Sequence, residues 1–269
     1  MYKLIVSDLD GTLLRKDHTI SEYTKSVIKN VTNQGVQFML ATGRIFGGAK
    51  IFSQDLGIDT PILACNGGLI KDTKGKILFS KPIPSHSLIQ VFQILMKHQY
   101  YFHFYGHENF YTQKFWEEWT TFYAFNELLP EHERFPMYEV SNPIDIVEKD
   151  PIYKVLVHCE GEEKRTELYE QLLKIPGISL TSSWSDSYDI CASQVNKSFA
   201  IDKYAKEKGI LSSEIICFGD NYNDMDMIKY AGLGIAVDNA VDELKSIADY
   251  ITDTNDCDGV AKALEKFIP

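Results

Sequence analysis

The sequence predicts an α/β fold: a doubly wound, mostly parallel sheet with helices on both faces, interrupted by an inserted α+β unit. Short apolar, β-forming runs alternate with helical patterns at the start of the chain and again in its last third. Each opening strand breaks off in small or polar residues, which in such sheets mark the ligand-gathering edge. Between the two α/β stretches the rhythm changes to aromatic hairpin signals. With 269 residues, 44% of them apolar, the chain has room for a core domain and an inserted module, and it does not read as disordered.

The first strand runs from Lys3 and stops at Ser7, because Asp8-Leu9-Asp10-Gly11 follows. Residues two apart in extended backbone point the same way, so Asp8 and Asp10 aim at one spot. Carboxylates placed so repel unless a cation or a proton lies between them. Alone, Asp-x-Asp-Gly is more often a turn than a site. Ser21 is the expected N-cap of a helix that buries Val27, Ile28 and Val31 and stops at Gly35. The second strand, 36–41, ends in Thr42-Gly43-Arg44. A helix then runs to Gly57, and a third strand, 61–65, ends in Asn66-Gly67-Gly68. Strand ends of this kind along one edge describe a Rossmann-like sheet.

From Lys81-Pro82-Ile83-Pro84 the character changes. Ser85 opens a helix with Leu88, Val91, Phe92 and Leu95 on one face. Tyr101 to Tyr111 alternate around Gly106 as a hairpin, with His103 and His107 expected as surface residues beside its turn. Trp116, Trp119 and Tyr123 recur at helical spacing and are expected to pack the insert's core. Tyr153 to Val157 reads as a strand. Leu168, Leu172 and Leu173 mark a helix closed by Pro176-Gly177. The insert is therefore placed at 83–190, between core segments 1–82 and 191–269.

The last third resumes the opening rhythm. A helix runs from Lys197 to Gly209, and the strand from Glu214 to Phe218 ends in Gly219-Asp220-Asn221-Tyr222-Asn223-Asp224. A helix through Met227 and Ile228 reaches Gly232, and strands follow at 234–237 and 249–252. The final helix turns Val260, Leu264 and Phe267 inward.

Twenty-seven basic against 38 acidic residues give a net charge of −11. That balance disfavours nucleic acid and anionic membranes as partners, while leaving room for a small anion at a local positive site. Five cysteines without a CxxC pair read as reduced core residues of a cytoplasmic protein. The chain opens on a strand rather than a signal peptide. No apolar run approaches the roughly 18 residues of a membrane span.

On one sheet, four sites share an edge: Asp8 with Asp10, Thr42 with Gly43, Lys197, and Asp220 with Asn223 and Asp224. Unit charges a few Å apart repel by about 4 kcal/mol at an effective dielectric near 20. A hard divalent cation relieves this, and an all-oxygen set without His/Cys clusters favours Mg²⁺ over zinc. Lys197 and the Thr42 hydroxyl would hold an anion beside the metal, and Gly43 would let backbone N–H groups approach it. Such a set points to phosphoryl transfer. Each residue also has a plainer role. Thr42 can cap a helix, Lys197 can be a solvated helix-start lysine, and Asp224 can serve the helix dipole. Arg44 reaches either the substrate or a core carboxylate.

Asp8-Leu9-Asp10-Gly11-Thr12-Leu13-Leu14, Ala41-Thr42-Gly43-Arg44, Lys197 and Gly219-Asp220-Asn221-Tyr222-Asn223-Asp224-Met225 resemble the four motifs of the haloacid dehalogenase-like superfamily. Asn66-Gly67-Gly68, an insert between the second and third motifs, and Asp258-Gly259-Val260-Ala261-Lys262-Ala263 resemble its Cof-like phosphatases, with the insert as a large α/β (C2-type) cap. Ser198 departs from the pattern, which often has glycine after the lysine.

The resemblance implies a Mg²⁺-dependent phosphatase of small phosphorylated metabolites, sugar phosphates or related monoesters. Asp8 would attack phosphorus and become an aspartyl-phosphate. Asp10 would protonate the leaving oxygen and then deprotonate water. The metal would contact the Asp8 carboxylate, the Asp10 carbonyl and Asp220. Thr42, Gly43, Lys197, Asn223 and the Leu9 N–H would bind phosphoryl oxygens, and Asp224 would support the metal or orient Lys197. The cap would open and close on hinges near 82–84 and 191–195. A phosphomutase or phosphotransferase on the same scaffold is the enzymatic alternative, and a non-catalytic phospho-ligand-binding protein the other.

Overall fold

The structure, a computed structural model, describes residues 1–115, 126–181 and 186–268. Its strands form two sheets. The first begins with β1 (Leu4–Ser7), β2 (Gln37–Ala41), β3 (Ile62–Ala64), β4 (Leu69–Lys71) and β5 (Ile77–Ser80). The second comprises β6 (Tyr101–Tyr105), β7 (Phe110–Thr112), β8 (Met137–Glu139), β9 (Lys154–His158), β10 (Ile178–Thr181) and β11 (Ser187–Ala192). The chain then returns to the first sheet with β12 (Ile215–Gly219), β13 (Leu233–Val237) and β14 (Tyr250–Thr252).

The first sheet has the order β14-β13-β12-β1-β2-β3-β4-β5. Every pair from β14 to β3 is parallel, and β3-β4-β5 closes one edge with antiparallel pairs. The strand alternation sends Ile5, Phe38, Leu40, Ile216 and Phe218 to one apolar layer and Leu4, Val6, Met39, Ala41 and Cys217 to the other. Both faces are therefore covered, as the unbroken apolar runs predict.

On one face, α1 (Glu22–Asn33) and α8 (Gly259–Phe267) share a cluster through Val27, Ile28, Val31, Val260 and Leu264, with α2 (Phe46–Leu56) alongside. Ser21 caps α1 by accepting from the Thr24 N–H. On the other face, α5 (Lys197–Lys208) packs Ala200, Ile201 and Tyr204 with Met227 and Ile228 of α6 (Met225–Tyr230) and Leu244 of the short α7 (Asp242–Lys245). Burying one such aliphatic side chain is worth about 1.5–3 kcal/mol.

The second sheet, ordered β10-β11-β9-β6-β7-β8, is inserted between β5 and β12. It is antiparallel except for the β7–β8 pair. One face carries Phe102, Phe104, Val155, Val157 and Ile190 against α3 (Ser85–Lys97) and α4 (Glu162–Leu172). The Phe92 ring of α3 lies 5.6 Å from Phe102 and 4.8 Å from Phe104. This cap rests on the core through Tyr105, Phe110, Phe135 and Tyr153, which join the cluster of Ile45, Phe46, Ala49 and Phe52.

Four sequence expectations need correction. His103 is fully buried rather than a surface residue. The hairpin is covered on both faces, by α3 on one and the core on the other, so its alternation leaves no exposed row. His107 is half-buried at the turn, its N–H donating to Asp150. Leu173 is 59% exposed, because α4 ends at Leu172 and the buried stripe ends with it. All five cysteines are free, but Cys257 is exposed while the other four are buried. It lies in a 3₁₀ turn before α8, outside any strand. The stripe of Trp116, Trp119 and Tyr123 lies outside the described residues. No helix among the described residues is long and apolar enough to cross a membrane.

Candidate active site

Parallel pairing of β1 with β12 sets Ser7 opposite Phe218, and pairing with β2 sets it opposite Leu40. The residues just past these strands are therefore neighbours at one edge. The Asp8 N–H donates to the Phe218 carbonyl at 3.0 Å. Lys197 stands at the start of α5, whose N-cap Asn196 accepts from the Phe199 N–H.

Lys197 is fully buried and donates to Asp8 Oδ1 at 2.5 Å and to Asp224 Oδ1 at 2.6 Å. The other Asp224 oxygen accepts the N–H groups of Asp220 (3.0 Å) and Asn221 (3.1 Å). Asp224 thus serves its own loop as a capping residue and Lys197 as a partner. Asp220 accepts from the Thr12 hydroxyl at 2.8 Å. Gly11 crosses close over it, at φ 82°, where a Cβ would fall 2.5 Å from the Asp220 carboxylate. Carboxylate oxygens of Asp8, Asp220 and Asp224 lie within 4.8 Å of one another.

Asp10 points elsewhere. Its half-exposed carboxylate is held bidentately by Arg44, at 2.7 Å from Nε and 2.5 Å from Nη2. Of the two roles open to Arg44, the structure shows the core carboxylate. Thr42 is buried, and its hydroxyl accepts the Arg44 N–H at 3.1 Å. It does not cap α2, whose N-cap is Ile45. Gly43 faces Asn66 and Lys154 so closely that a Cβ would lie 2.9 Å from Asn66 Oδ1 and 3.2 Å from Lys154 Nζ. Asn223 donates to Asn66 Oδ1 at 3.2 Å. The buried Leu9 closes the acidic turn, its carbonyl accepting from Leu13 and Leu14 at 3.0 and 2.9 Å.

Charge explains the electrostatics. Burial pushes the Asp8 carboxyl well above the usual range. Lys197 opposes that, while the charges of Asp224, Asp220 and Asp10 reinforce it. Burial, then the Asp224 charge, pushes Asp220 up to about 7 against its Thr12 hydrogen bond and Lys197. Burial alone would lower Lys197, but Asp224 and Asp8 outweigh it and hold the ammonium charged. Three clustered carboxylates face one lysine, so the fold leaves a negative surplus. The donors are hard oxygens, and the cluster is suited to a divalent cation.

Sequence reasoning did not single out Thr12, Lys154 or Asp189. Lys154 opens and Asp189 interrupts a largely apolar strand run, a visible signal. Thr12 carries only its place two residues beyond Asp10.

A doubly wound sheet with carboxylates, a buried lysine and a threonine–glycine loop along one edge defines an α/β protein of the hydrolase kind. The chain belongs to the haloacid dehalogenase-like hydrolases, whose family model matches residues 5–264. It is 29% identical over 266 residues to the 5-amino-6-(5-phospho-D-ribitylamino)uracil phosphatase YcsE of Bacillus subtilis, spanning 99% of this chain and 96% of that protein. It is 26% identical over 266 residues to the pyridoxal phosphate phosphatase YbhA of Escherichia coli, spanning 97% and 96%. A haloacid dehalogenase-like hydrolase of Bacteroides thetaiotaomicron superposes with a TM-score of 0.86 at 27% identity, over 100% of both chains.

Proposed function

We propose that this protein is a Mg²⁺-dependent phosphatase of small phosphorylated metabolites, sugar phosphates or related monoesters, acting through an aspartyl-phosphate on Asp8. The observation that carries it is the fully buried Lys197, bonded at once to Asp8 and Asp224 beside the Asp220 carboxylate. The relatives' names point the same way, each naming a phosphatase of a phosphorylated small molecule.

Asp8 sits at a strand end, where its carboxylate attacks phosphorus and the ester P–O bond breaks. The leaving alkoxide takes its proton from Asp10. Asp10 then removes a proton from water, which attacks phosphorus and restores the Asp8 carboxylate with release of phosphate. Arg44 fixes the Asp10 carboxylate at two points and suits it to the base step.

Thr42, the Gly43 loop, the Leu9 N–H, Lys197 and Asn223 bind the phosphoryl oxygens. Such donors are worth most in a dry site. Asp224 spends one oxygen on Lys197 and the other on two N–H groups. Asp8 and Asp220, with the Asp10 carbonyl, would hold the metal directly, and Asp224 positions Lys197 behind them. When bound there, Mg²⁺ neutralises charge between carboxylate and phosphoryl oxygens.

In this reading the core is 1–82 with 191–269, and residues 83–190 form a cap. The cap moves on hinges near 82–84 and 191–195 and closes to exclude surplus water. The five free cysteines suit the reducing cytoplasm. The test is phosphate release from a panel of sugar, pyridoxal and flavin phosphates with Mg²⁺, plus mass spectrometry of acid-quenched enzyme for phosphorylated Asp8. No release across the panel removes the reading, and release without an Asp8 adduct removes its mechanism.

A further inference from the structure

Where the cap meets the core, a cavity of about 370 Å³ lies apart from the catalytic cluster. None of the residues placed in the active site lines it. One wall is core. There α2 contributes Lys50 and Ile51, and the turn between β4 and β5 contributes Lys74 and Gly75. The other wall is cap, where a 3₁₀ turn at Glu131–Glu133 leads into Arg134 and Phe135. The apolar part of the lining comes from Phe46, Phe135 and Ile51, which pack in the core cluster. A cavity of this size falls in the range that holds small ligands.

The acids at this cavity already face basic groups. Glu108, at the β6–β7 turn, accepts from the fully buried Lys71 of β4. That bond leads in holding its carboxyl below the usual range, and Lys50 adds a smaller share. Glu133 faces His132 at 3.6 Å. Arg134 is held in place by the Leu129 carbonyl at 2.9 Å, the Glu127 carbonyl at 2.7 Å and the Glu127 carboxylate at 3.3 Å. Those bonds leave an N–H unused on each terminal nitrogen of the guanidinium. The half-buried Lys50 and the exposed Lys74 make no side-chain hydrogen bond or ion pair among the described residues. A lone surface lysine is ordinarily solvated and means little. Here two share one concavity with an arginine held from the opposite part of the molecule, in a chain of net charge −11. A concave site lined by one sign of charge focuses potential and gathers counter-ions.

We infer that this cavity binds a small dicarboxylate, with one carboxylate on Lys50 and Lys74 and the other on Arg134. Cations on two walls are matched by two anionic groups, and ammonium and guanidinium both form strong charge-assisted bonds to carboxylates. The carbon chain between the carboxylates lies along the apolar lining. A cation or a neutral molecule would leave the two ammonium charges unanswered. Because the ligand draws its bonds from α2 and the β4–β5 turn on one side and from Arg134 on the other, its occupancy favours the arrangement in which the cap is seated on the core.

The probe is glutarate, with butyrate as the single-carboxylate control, titrated calorimetrically at constant ionic strength with Mg²⁺. The wild type is expected to bind glutarate more tightly than butyrate. The Kd for glutarate should rise at least about 10-fold in Lys50→Met/Lys74→Met and about 10-fold in Arg134→Gln. The lysine variant changes only side chains that bond nothing in the fold, so it keeps the test decisive should Arg134→Gln not fold. Bound glutarate should also slow backbone hydrogen exchange on both walls together, in residues 46–54 and 131–136. No saturable binding to the wild type, a Kd unchanged in the lysine variant, a preference for butyrate, or slowing confined to one wall overturns the inference. No arm reads phosphate release, so the phosphatase reading is tested apart.

Discussion

Two buried lysines stand on either side of the phosphoryl loop, and they are not alike. Lys197 in the core faces two carboxylates with a third beside them. Lys154 in the cap pairs with Asp189 and with a neutral carbonyl. The core end therefore carries a charge surplus that folding does not cancel, while the cap pair is balanced one to one. A surplus calls for a cation. A balanced pair needs only groups that can share its hydrogen bonds. The same residue types thus stand in a charge surplus in one place and in a matched pair in the other, and the difference lies in the count of charges.

The sharpest way to break this contrast is Asp8→Asn. Turnover should fall by at least about 10⁴-fold, since a carboxamide neither attacks phosphorus nor holds the metal. The fold should survive, because the change removes one charge from a surplus. Phosphate release and near-UV circular dichroism check both halves. An Asp8→Asn protein with wild-type turnover would end the nucleophile assignment.

Next in size is Lys197→Met. It leaves Asp8 and Asp224 facing each other in a dry site, so kcat should fall about 10³-fold. Breaking a buried pair in this way costs on the order of 3–5 kcal/mol, read by urea unfolding. Lys154→Met should cost less, because it leaves one carboxylate, Asp189, without its ammonium, where Lys197→Met leaves two. Equal losses for the two lysines would mean that the charge count does not distinguish the sites.

Metal removal separates the two ends directly. EDTA should silence the enzyme, and Mg²⁺ should restore it. Magnesium should also raise Tm, by about 2.7 kcal/mol of added stability at a hundredfold excess over Kd. The Lys154→Met/Asp189→Leu protein should show the same metal-induced shift, since its changes lie in the balanced pair. Loss of that shift would join the two sites into one.

Much of this was legible in the sequence, and the reasons are physical. Unbroken apolar runs at Leu4 to Val6 and Phe38 to Ala41 encode strands covered on both faces, which fixed the parallel core. The acidic and small residues at strand ends lie near one another because register in a parallel sheet carries them to one edge. Other features depend on partners far along the chain. Arg44 had two possible partners until Asp10 was seen to accept from its Nε and Nη2. His103 looked exposed because one hairpin's alternation does not reveal a second covering layer. Lys154 and Asp189 lie in separate strands, joined only by the β9–β11 register. The short β4–β5 hairpin, three and four residues long, carries little periodicity of its own.

The smallest expected effect is the one of unusual sign. In the metal-free protein Asp220 is pushed from 3.8 to about 7, chiefly by burial and by the Asp224 charge. Between those values the folded protein binds a proton that the unfolded chain has released. The Asp220 contribution to stability is therefore greatest in acid, falls as pH rises toward about 7, and levels off above. Asp258 works the other way. Burial opposes its ionisation, but hydrogen bonds from Ser21, Arg15 and Thr24 outweigh burial and hold it below the usual range. Its contribution is present above the ordinary carboxylate value and is lost only as pH falls through its lower folded value. His103 and His158, held below the usual imidazole range by burial, act in the same sense as Asp258 and add stability as pH rises through that range. The Asp220 part is therefore read as the Tm of EDTA-treated wild type minus that of Asp220→Asn, which should fall from about pH 5 to about pH 8. Saturating Mg²⁺ should flatten that difference, because the cation takes the proton's place. A difference that rises across this range would show that the core cluster carries no surplus, and the contrast between the two lysines would fail with it.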